Sequence, residues 1–209
     1  SFLLGKTMKD SWNPKQYDKF KNERSQPFFD LLDLVKPTAG ARVIDLGCGT
    51  GELTAHLHRH LRADSTLGLD SSAAMLLPAQ KIQENNLAFT QGDIESWRAP
   101  ASYDLVFSNV ALQWCGNHLE LFRRLREALR PGGQLAVQMP MNHGYPTHRI
   151  AREMSREEPW AQKLGENSSQ QSSLLSADEY ATLLFRLGFC EQTVLLKVYG
   201  HVLESRDGV

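Results

Sequence analysis

Nine residues, Val43-Ile44-Asp45-Leu46-Gly47-Cys48-Gly49-Thr50-Gly51, constrain this chain more than any other segment. An apolar, strand-like run enters a turn of alternating glycines, and a helical pattern starts at Glu52 and continues to about Arg62. Glycines in such a turn let the backbone come close to a ligand at the N-terminus of the following helix. The spacing is G-x-G-x-G, whereas the dinucleotide fingerprint is G-x-G-x-x-G. Asp45 stands just before the turn. A carboxylate there repels a pyrophosphate and suits a ligand with an ammonium or sulfonium charge. Spacing and charge both point away from an NAD-dependent oxidoreductase.

The strand–turn–helix rhythm then repeats. Ala41–Leu46, Thr66–Asp70, Leu87–Gln91, Asp104–Asn109 and Gln134–Met139 read as successive strands with helical segments between them. A helix opens at Ser71 or Ser72 and carries Pro78, which kinks it or delays its start. Asn117-His118-Leu119-Glu120 resembles a capping box and opens a helix to Arg130, which Pro131-Gly132-Gly133 stops. Upstream, Tyr17, Phe20, Arg24, Phe28 and Leu31 share one face of a helix from about Lys15 to Val35, with Pro14 near its first turn. Downstream, Met141–Gly188 breaks the rhythm: Glu166–Ser173 reads as a loop, and a helix follows with Ser176 as N-cap, Glu179 completing the box and Gly188 past its end. Phe189–Tyr199 reads as a sixth strand.

Such alternation predicts an α/β fold, a mostly parallel sheet with an antiparallel edge and helices on both faces. At 209 residues the chain fits one domain. Its parts are an N-terminal helical cap (1–36), a cofactor-binding core (41–140), a substrate-side insertion (141–188) and a C-terminal strand (189–209).

Two more acids stand where ligands bind such sheets. Asp70 ends the second strand 19 residues beyond Gly51 and can reach both hydroxyls of a ribose. Asp93, in Gln91-Gly92-Asp93-Ile94, follows the third strand, where its carboxylate can accept from an exocyclic amine while Ile94 packs on a ring face. Either acid alone suits a helix cap or a turn. Three acids at the ends of three consecutive strands form a much rarer pattern.

These residues, with Asp104-Leu105-Val106-Phe107-Ser108-Asn109 and Leu129-Arg130-Pro131-Gly132-Gly133, resemble a class I S-adenosylmethionine-dependent methyltransferase of Rossmann-like fold from about Ala41 to Met139. The resemblance implies that Gly47, Cys48 and Gly49 pass along the methionine part of S-adenosyl-L-methionine. Asp70 holds the ribose, Ser71 and Met75 lie near the adenosine, Asp93 and Ile94 take the adenine, and Asn109 borders the sulfonium end.

Outside that core, Trp12-Asn13-Pro14-x-x-Tyr17-x-x-Phe20-x-x-x-Arg24, Ala111-Leu112-Gln113-Trp114, Val137-Gln138-Met139-Pro140, Pro146-x-His148-Arg149 and Glu158-Pro159-Trp160-Ala161 are similar to the trans-aconitate methyltransferase family. That family esterifies a carboxylate of a small tricarboxylic acid, leaving S-adenosyl-L-homocysteine. It continues past the segment matching Gly200-His201-Val202-Leu203, so either this chain is truncated or the sheet lacks its last antiparallel strand. A polyanionic substrate calls for Arg, His or Tyr donors. Arg24, Tyr17, His143, Tyr145, His148 and Arg149 are the candidates, with Gln113 and Trp114 lining the pocket. Arg24 shares a helix face with Tyr17 and is assigned to the cofactor's carboxylate. A carboxylate nucleophile is already ionised at pH 7, so no catalytic dyad is expected.

Lys plus Arg is 23 against 24 for Asp plus Glu, which leaves no basic excess for a nucleic-acid partner. No apolar run approaches the roughly 18 residues needed to span a bilayer. Ser1-Phe2-Leu3-Leu4-Gly5 is too short for a signal-peptide core. Cys48, Cys115 and Cys190 form no CxxC pair, which fits a reducing compartment. The expectation is a cytoplasmic monomer without a metal; His56 and His60, four apart on a helix, lack a third ligand and read as a solvated face. Two alternatives stay open. Arg123, Arg124, Arg126 and Arg130 could dock a carrier-protein-linked acid, and the chain could bind cofactor without turnover.

Overall fold

Side-chain alternation along β1 (Arg42–Leu46) assigns each residue to one face of a sheet. Val43 packs with Phe28, Leu32, Leu57, Leu105 and Phe107. Ile44 and Leu46 point the other way, into a cluster with Val106, Leu112, Leu121, Leu125 and Leu183. Both faces are therefore apolar and covered, as a parallel sheet requires. The computed structural model describes residues 21–142, 144–164 and 174–200.

Within these residues the order is α1 (Lys21–Asp33), β1, α2 (Glu52–Leu61), β2 (Ser65–Asp70), α3 (Ala73–Ala79), β3 (Leu87–Gln91), β4 (Tyr103–Asn109), a 3-10 turn (Leu112–Trp114), α4 (His118–Ala128), β5 (Leu129–Gln138), α5 (Pro146–Met154), α6 (Trp160–Leu164) and α7 (Ala177–Arg186). The sheet runs β3-β2-β1-β4-β5, and every pairing is parallel. The chain builds outward from β1 through β2 to β3, then returns to lay β4 on the other side of β1. That reversal opens a crevice at the carboxyl ends of β1 and β4, where such sheets take ligands. The Ser108 hydroxyl, fully buried, donates to the Leu46 carbonyl at 2.7 Å and locks the two strand ends together.

Several expectations need correction. The helix before Pro131 ends at Ala128 rather than Arg130, because Leu129 already pairs with Tyr103 as the start of β5. Pro131-Gly132-Gly133 then forms an irregularity in β5 between the pairings Tyr103↔Leu129 and Leu105↔Gln134. The insertion carries two helices, α5 and α6, that its pattern did not announce.

Residues 189–199 form no strand, and the antiparallel edge is absent among the described residues. Val194, Leu195, Leu196 and Val198 lie exposed, and the segment is held by side chains instead of a ladder. Lys36 pairs with Glu191, and the Lys197 ammonium and the Tyr199 hydroxyl donate to Asp30 on α1 at 2.5 and 2.6 Å. These bonds draw Asp30's carboxyl down to about 2, the Lys197 bond most strongly.

The histidine face of α2 is not wholly wet. His56 packs edge-on against Phe28 and Phe29 with ring centroids 6.3 and 5.1 Å away, and His58 Nδ1 meets the Thr66 hydroxyl at 2.9 Å. No helix among the described residues is long and apolar enough to cross a membrane.

Candidate active site

The glycine loop hangs from β2. Gly47 and Cys48 donate their N–H groups to the Leu69 carbonyl at 2.7 and 3.1 Å, and Gly49 donates to Asp70 Oδ2 at 2.8 Å. Asp70 Oδ1 accepts from the Ser72 N–H at 2.9 Å, and the Ser72 hydroxyl caps α3 by accepting from Met75 N–H at 3.2 Å. Asp70 is thus a turn residue and a loop anchor before any ligand arrives.

Two glycines are required by the chain's own packing. Gly47 has φ +84°, and a Cβ there would stand 2.2 Å from the Ala111 Cβ. Gly51 has φ +79°, and a Cβ there would stand 2.7 Å from the Ala79 Cβ. The need for glycine therefore comes from close approach of β1's loop to the turn after β4 and to the end of α3, as well as from any approach to ligand. Buried Met75 reaches the same loop, with its methyl carbon 3.3 Å from where a Gly49 Cβ would be.

Beneath the loop, Asp45 is buried and accepts from the Thr54 hydroxyl at 2.6 Å. Burial pushes its carboxyl up to about 7, against the Thr54 bond and with a smaller contribution from the Asp70 charge. Cys48 is also buried, and burial together with Asp45 and Asp70 raises its thiol far above its ordinary range, so it is no nucleophile.

Across the crevice the ends of β4 and β5 present acceptors without donors. Asn109 stands opposite Gln138 in the β4–β5 register. Asn109 Oδ1, Gln113 Oε1 and Gln138 Oε1 are buried and receive no hydrogen bond. Gln113 spends its amide N–H on the Val110 carbonyl at 3.0 Å, which leaves its oxygen as the free end. Sequence reasoning assigned roles to Asn109 and Gln113 but missed Gln138. The signal was present in its place at the end of a strand beside Asn109, once register is known.

Beyond β3, Asp93 folds its own turn, with Oδ1 accepting from Glu95 N–H at 2.9 Å, and half-buried Ile94 packs on the core. Ser71 is exposed, and its carbonyl accepts from the Gln91 amide at 3.0 Å. Arg124 ties this turn to α4: its guanidinium donates to the carbonyls of Glu95, Ile94 and Trp97 at 2.7, 3.3 and 3.4 Å.

The substrate-side residues are less gathered. Trp114 is 71% exposed on the 3-10 turn. His148 and Arg149 are exposed on α5, and Arg149 faces Glu153 at 3.8 Å. Arg24 lies on α1, but its side chain, like all of Tyr17 and His143, lies outside the described residues. The arginine row of α4 and the start of β5 is not a free basic surface. Arg124 is buried, Arg123 pairs with Glu120 and Glu127, Arg130 faces Asp104 at 3.4 Å, and Arg126 lies over the Phe189 ring.

A ligand suited to this rim brings donors and positive charge, because what surrounds the glycine loop is carboxylate and amide oxygen. S-adenosyl-L-methionine fits, with an ammonium, a sulfonium and two ribose hydroxyls, whereas a pyrophosphate does not. The class is accordingly that of the S-adenosylmethionine-dependent methyltransferases, and the family model for a methyltransferase domain matches residues 43–133. A trans-aconitate 2-methyltransferase from Deinococcus radiodurans is 46% identical over 95% of this chain and 78% of its own length. One from Acidovorax ebreus is 38% identical over 95% and 76%. The chain belongs to the trans-aconitate 2-methyltransferase family. The fold extends further: a Haemonchus contortus phosphoethanolamine N-methyltransferase 2, solved in complex with S-adenosyl-L-methionine, superposes with a TM-score of 0.60 at 23% identity, over 79% of this chain and 36% of that one.

Proposed function

We propose that this chain transfers the methyl group of S-adenosyl-L-methionine to a carboxylate of trans-aconitate or a closely similar small polycarboxylic acid. The observation that carries the reading is the 46% identity, across nearly the whole chain, to a trans-aconitate 2-methyltransferase, on a sheet end whose ligand-facing groups are acceptors. S-adenosyl-L-methionine, when bound, supplies a methyl group on a positively charged sulfur with a neutral thioether as leaving group.

The residues then have three tasks. Gly47, Cys48 and Gly49 line the methionine part, Asp70 takes the ribose, Ser71 and Met75 flank the adenosine, Asp93 and Ile94 hold the adenine, and Asn109, with Gln138 beside it, borders the sulfonium end, where an amide oxygen suits the positive charge. Asp45 sets the charge beneath the loop, and Arg24 reaches the cofactor's carboxylate. Tyr17, Gln113, Trp114, His143, His148 and Arg149 hold the acid and keep water from the line of transfer. The acid is ionised at neutral pH, so no residue need remove a proton. With Arg123 and Arg130 engaged by carboxylates, Arg124 by carbonyls and Arg126 by the Phe189 ring, this row offers little to a carrier protein. The reading is of a single domain with a cap, core, insertion and C-terminal segment, acting as a cytoplasmic monomer without nucleic acid.

The test is methyl transfer from labelled S-adenosyl-L-methionine to trans-aconitate, with citrate and a monocarboxylic acid as comparisons. Ester formed on trans-aconitate in preference to the others supports the proposal; ester on neither tricarboxylate ends it.

Asp45 predicts a pH dependence. Its folded pKa, about 7, lies above its ordinary value, so its protonated form is favoured by folding. That contribution is complete at low pH and is lost as pH rises towards 7. A bound cation reverses the preference by favouring the carboxylate. Affinity for S-adenosyl-L-methionine is therefore expected to rise from pH 6 to 8, with protons released on binding below pH 7. Calorimetry in two buffers of different ionisation heat measures that release, and Asp45→Asn should remove it.

A further inference from the structure

The turn that carries Gln113 and Trp114 is short and strained at its entry. Val110, a β-branched residue, holds φ +55°, in the left-handed region that such side chains avoid. It stays there because neighbouring contacts determine its place. One is the bond from Val110 N–H to the Gln138 carbonyl at 3.0 Å. The other begins 70 residues downstream, at Tyr180 in α7.

Tyr180 on α7 approaches His118 on α4: its hydroxyl lies 2.6 Å from His118 Nδ1, and His118 Nε2 lies 3.0 Å from the Leu112 carbonyl. A carbonyl only accepts, so Nε2 carries the hydrogen. In a neutral ring Nδ1 is then an acceptor, and Tyr180 donates to it. The Leu175 N–H donates in turn to the Tyr180 oxygen at 3.4 Å. Every group from Leu175 through Tyr180 and His118 to Leu112 thus has one consistent direction of donation. His118 is almost fully buried, which favours the neutral form this chain requires, and its ring stacks on Phe122 with centroids 6.0 Å apart. The Leu112 carbonyl also accepts the Cys115 N–H at 3.0 Å, so the histidine bond falls on the atom that closes the 3-10 turn.

We infer that His118 and Tyr180 are positioning residues for the acid substrate: their hydrogen-bond chain fixes the Leu112–Trp114 turn, and through it Gln113 and Trp114, against α7. The inference rests on the proposed role of those two residues in holding the acid. The glycine loop and Asp70 are anchored separately, on β2. Loss of the latch therefore separates acid binding from cofactor binding.

Tyr180→Phe removes one hydroxyl and leaves the ring packing against Phe122, so it tests the latch without emptying the core. The KM for trans-aconitate should rise about tenfold, the factor expected for one lost hydrogen bond of ordinary strength. The Kd for S-adenosyl-L-homocysteine should stay within about twofold, because the glycine loop and Asp70 hang from β2 and Asn109 and Gln138 are paired within the sheet. Amide exchange measured by mass spectrometry should quicken in the peptide spanning 110–117 and remain unchanged at 47–51. A double variant, His118→Leu with Tyr180→Phe, should raise KM no further than the worse single variant if the two act as one unit. An unchanged KM in a protein with normal turnover overturns the inference. So does a parallel loss of cofactor affinity, which would mark a general loss of stability. Failure of the proposed substrate looks different, since the unmutated protein would then give no ester from trans-aconitate. In that case unchanged exchange at 110–117 in Tyr180→Phe rejects the latch as well.

Discussion

Gly47→Ala should lower affinity for S-adenosyl-L-homocysteine by about 100-fold or more, measured by calorimetry on folded protein. Two effects combine. An L residue at φ +84° adopts a left-handed backbone at roughly 1–2 kcal/mol. The added methyl would also stand 2.2 Å from the Ala111 Cβ. No side-chain rotation relieves a contact between two Cβ atoms, so either the glycine loop or the turn after β4 must move. Overpacking of this kind costs roughly 1–3 kcal/mol. Displacement of the glycine loop, whose backbone lines the methionine part of the proposed site, deforms the cofactor site directly. A second substitution tells strain from clash. Gly47→Ala with Ala111→Gly removes the clash and keeps the strained φ, so it should recover about tenfold or more in affinity. No recovery would show that the contact with Ala111 is unimportant.

The second large effect is at Asp70. Its two oxygens already accept from Gly49 and Ser72, at 2.8 and 2.9 Å, and the proposed ribose contacts use the remaining lone pairs. In Asp70→Asn one oxygen becomes an NH2 group, so one backbone N–H faces another donor. Hydrogen bonds to a charged group contribute roughly 1.5–3 kcal/mol, and an orphaned buried donor adds to the loss. The dissociation constant for S-adenosyl-L-homocysteine should rise about 10- to 150-fold. Hydrogen exchange at residues 47–51 should quicken even without ligand, because the anchor of the loop is weakened. Unchanged exchange with weakened binding would confine Asp70 to the ribose.

What could be read from sequence was what neighbours along the chain decide. β3 (Leu87–Gln91) forms over the residues expected, and the other core strands differ at their ends. Ser176 and Glu179 make the reciprocal capping bonds their spacing implies, and Asn117 accepts from Glu120 N–H. The acids at Asp45, Asp70 and Asp93 fall at the carboxyl ends of β1, β2 and β3 because a parallel sheet puts all those ends on one side.

What could not be read depends on partners far along the chain. The Asn117–Glu120 pattern identified a cap but gave no reason to connect His118 with Tyr180. Arg124 sits between Arg123, which is exposed, and Arg126, which is half-buried, and is itself buried because three carbonyls beyond β3 converge on it. Ala128-Leu129-Arg130 is good helical sequence, and pairing of Leu129 with Tyr103 overrides that preference. Residues 189–199 have strand composition, but a strand needs a ladder, and among the described residues this segment is tied by side chains to Lys36 and Asp30.

In the proposed function the carboxyl end of this sheet holds S-adenosyl-L-methionine beside a small polycarboxylate. Calorimetry tests it in one cell: titrate S-adenosyl-L-homocysteine first, then trans-aconitate into the complex. Saturable binding of the first, followed by heat from the second, is the predicted result. A folded chain that shows no heat with S-adenosyl-L-homocysteine would contradict it.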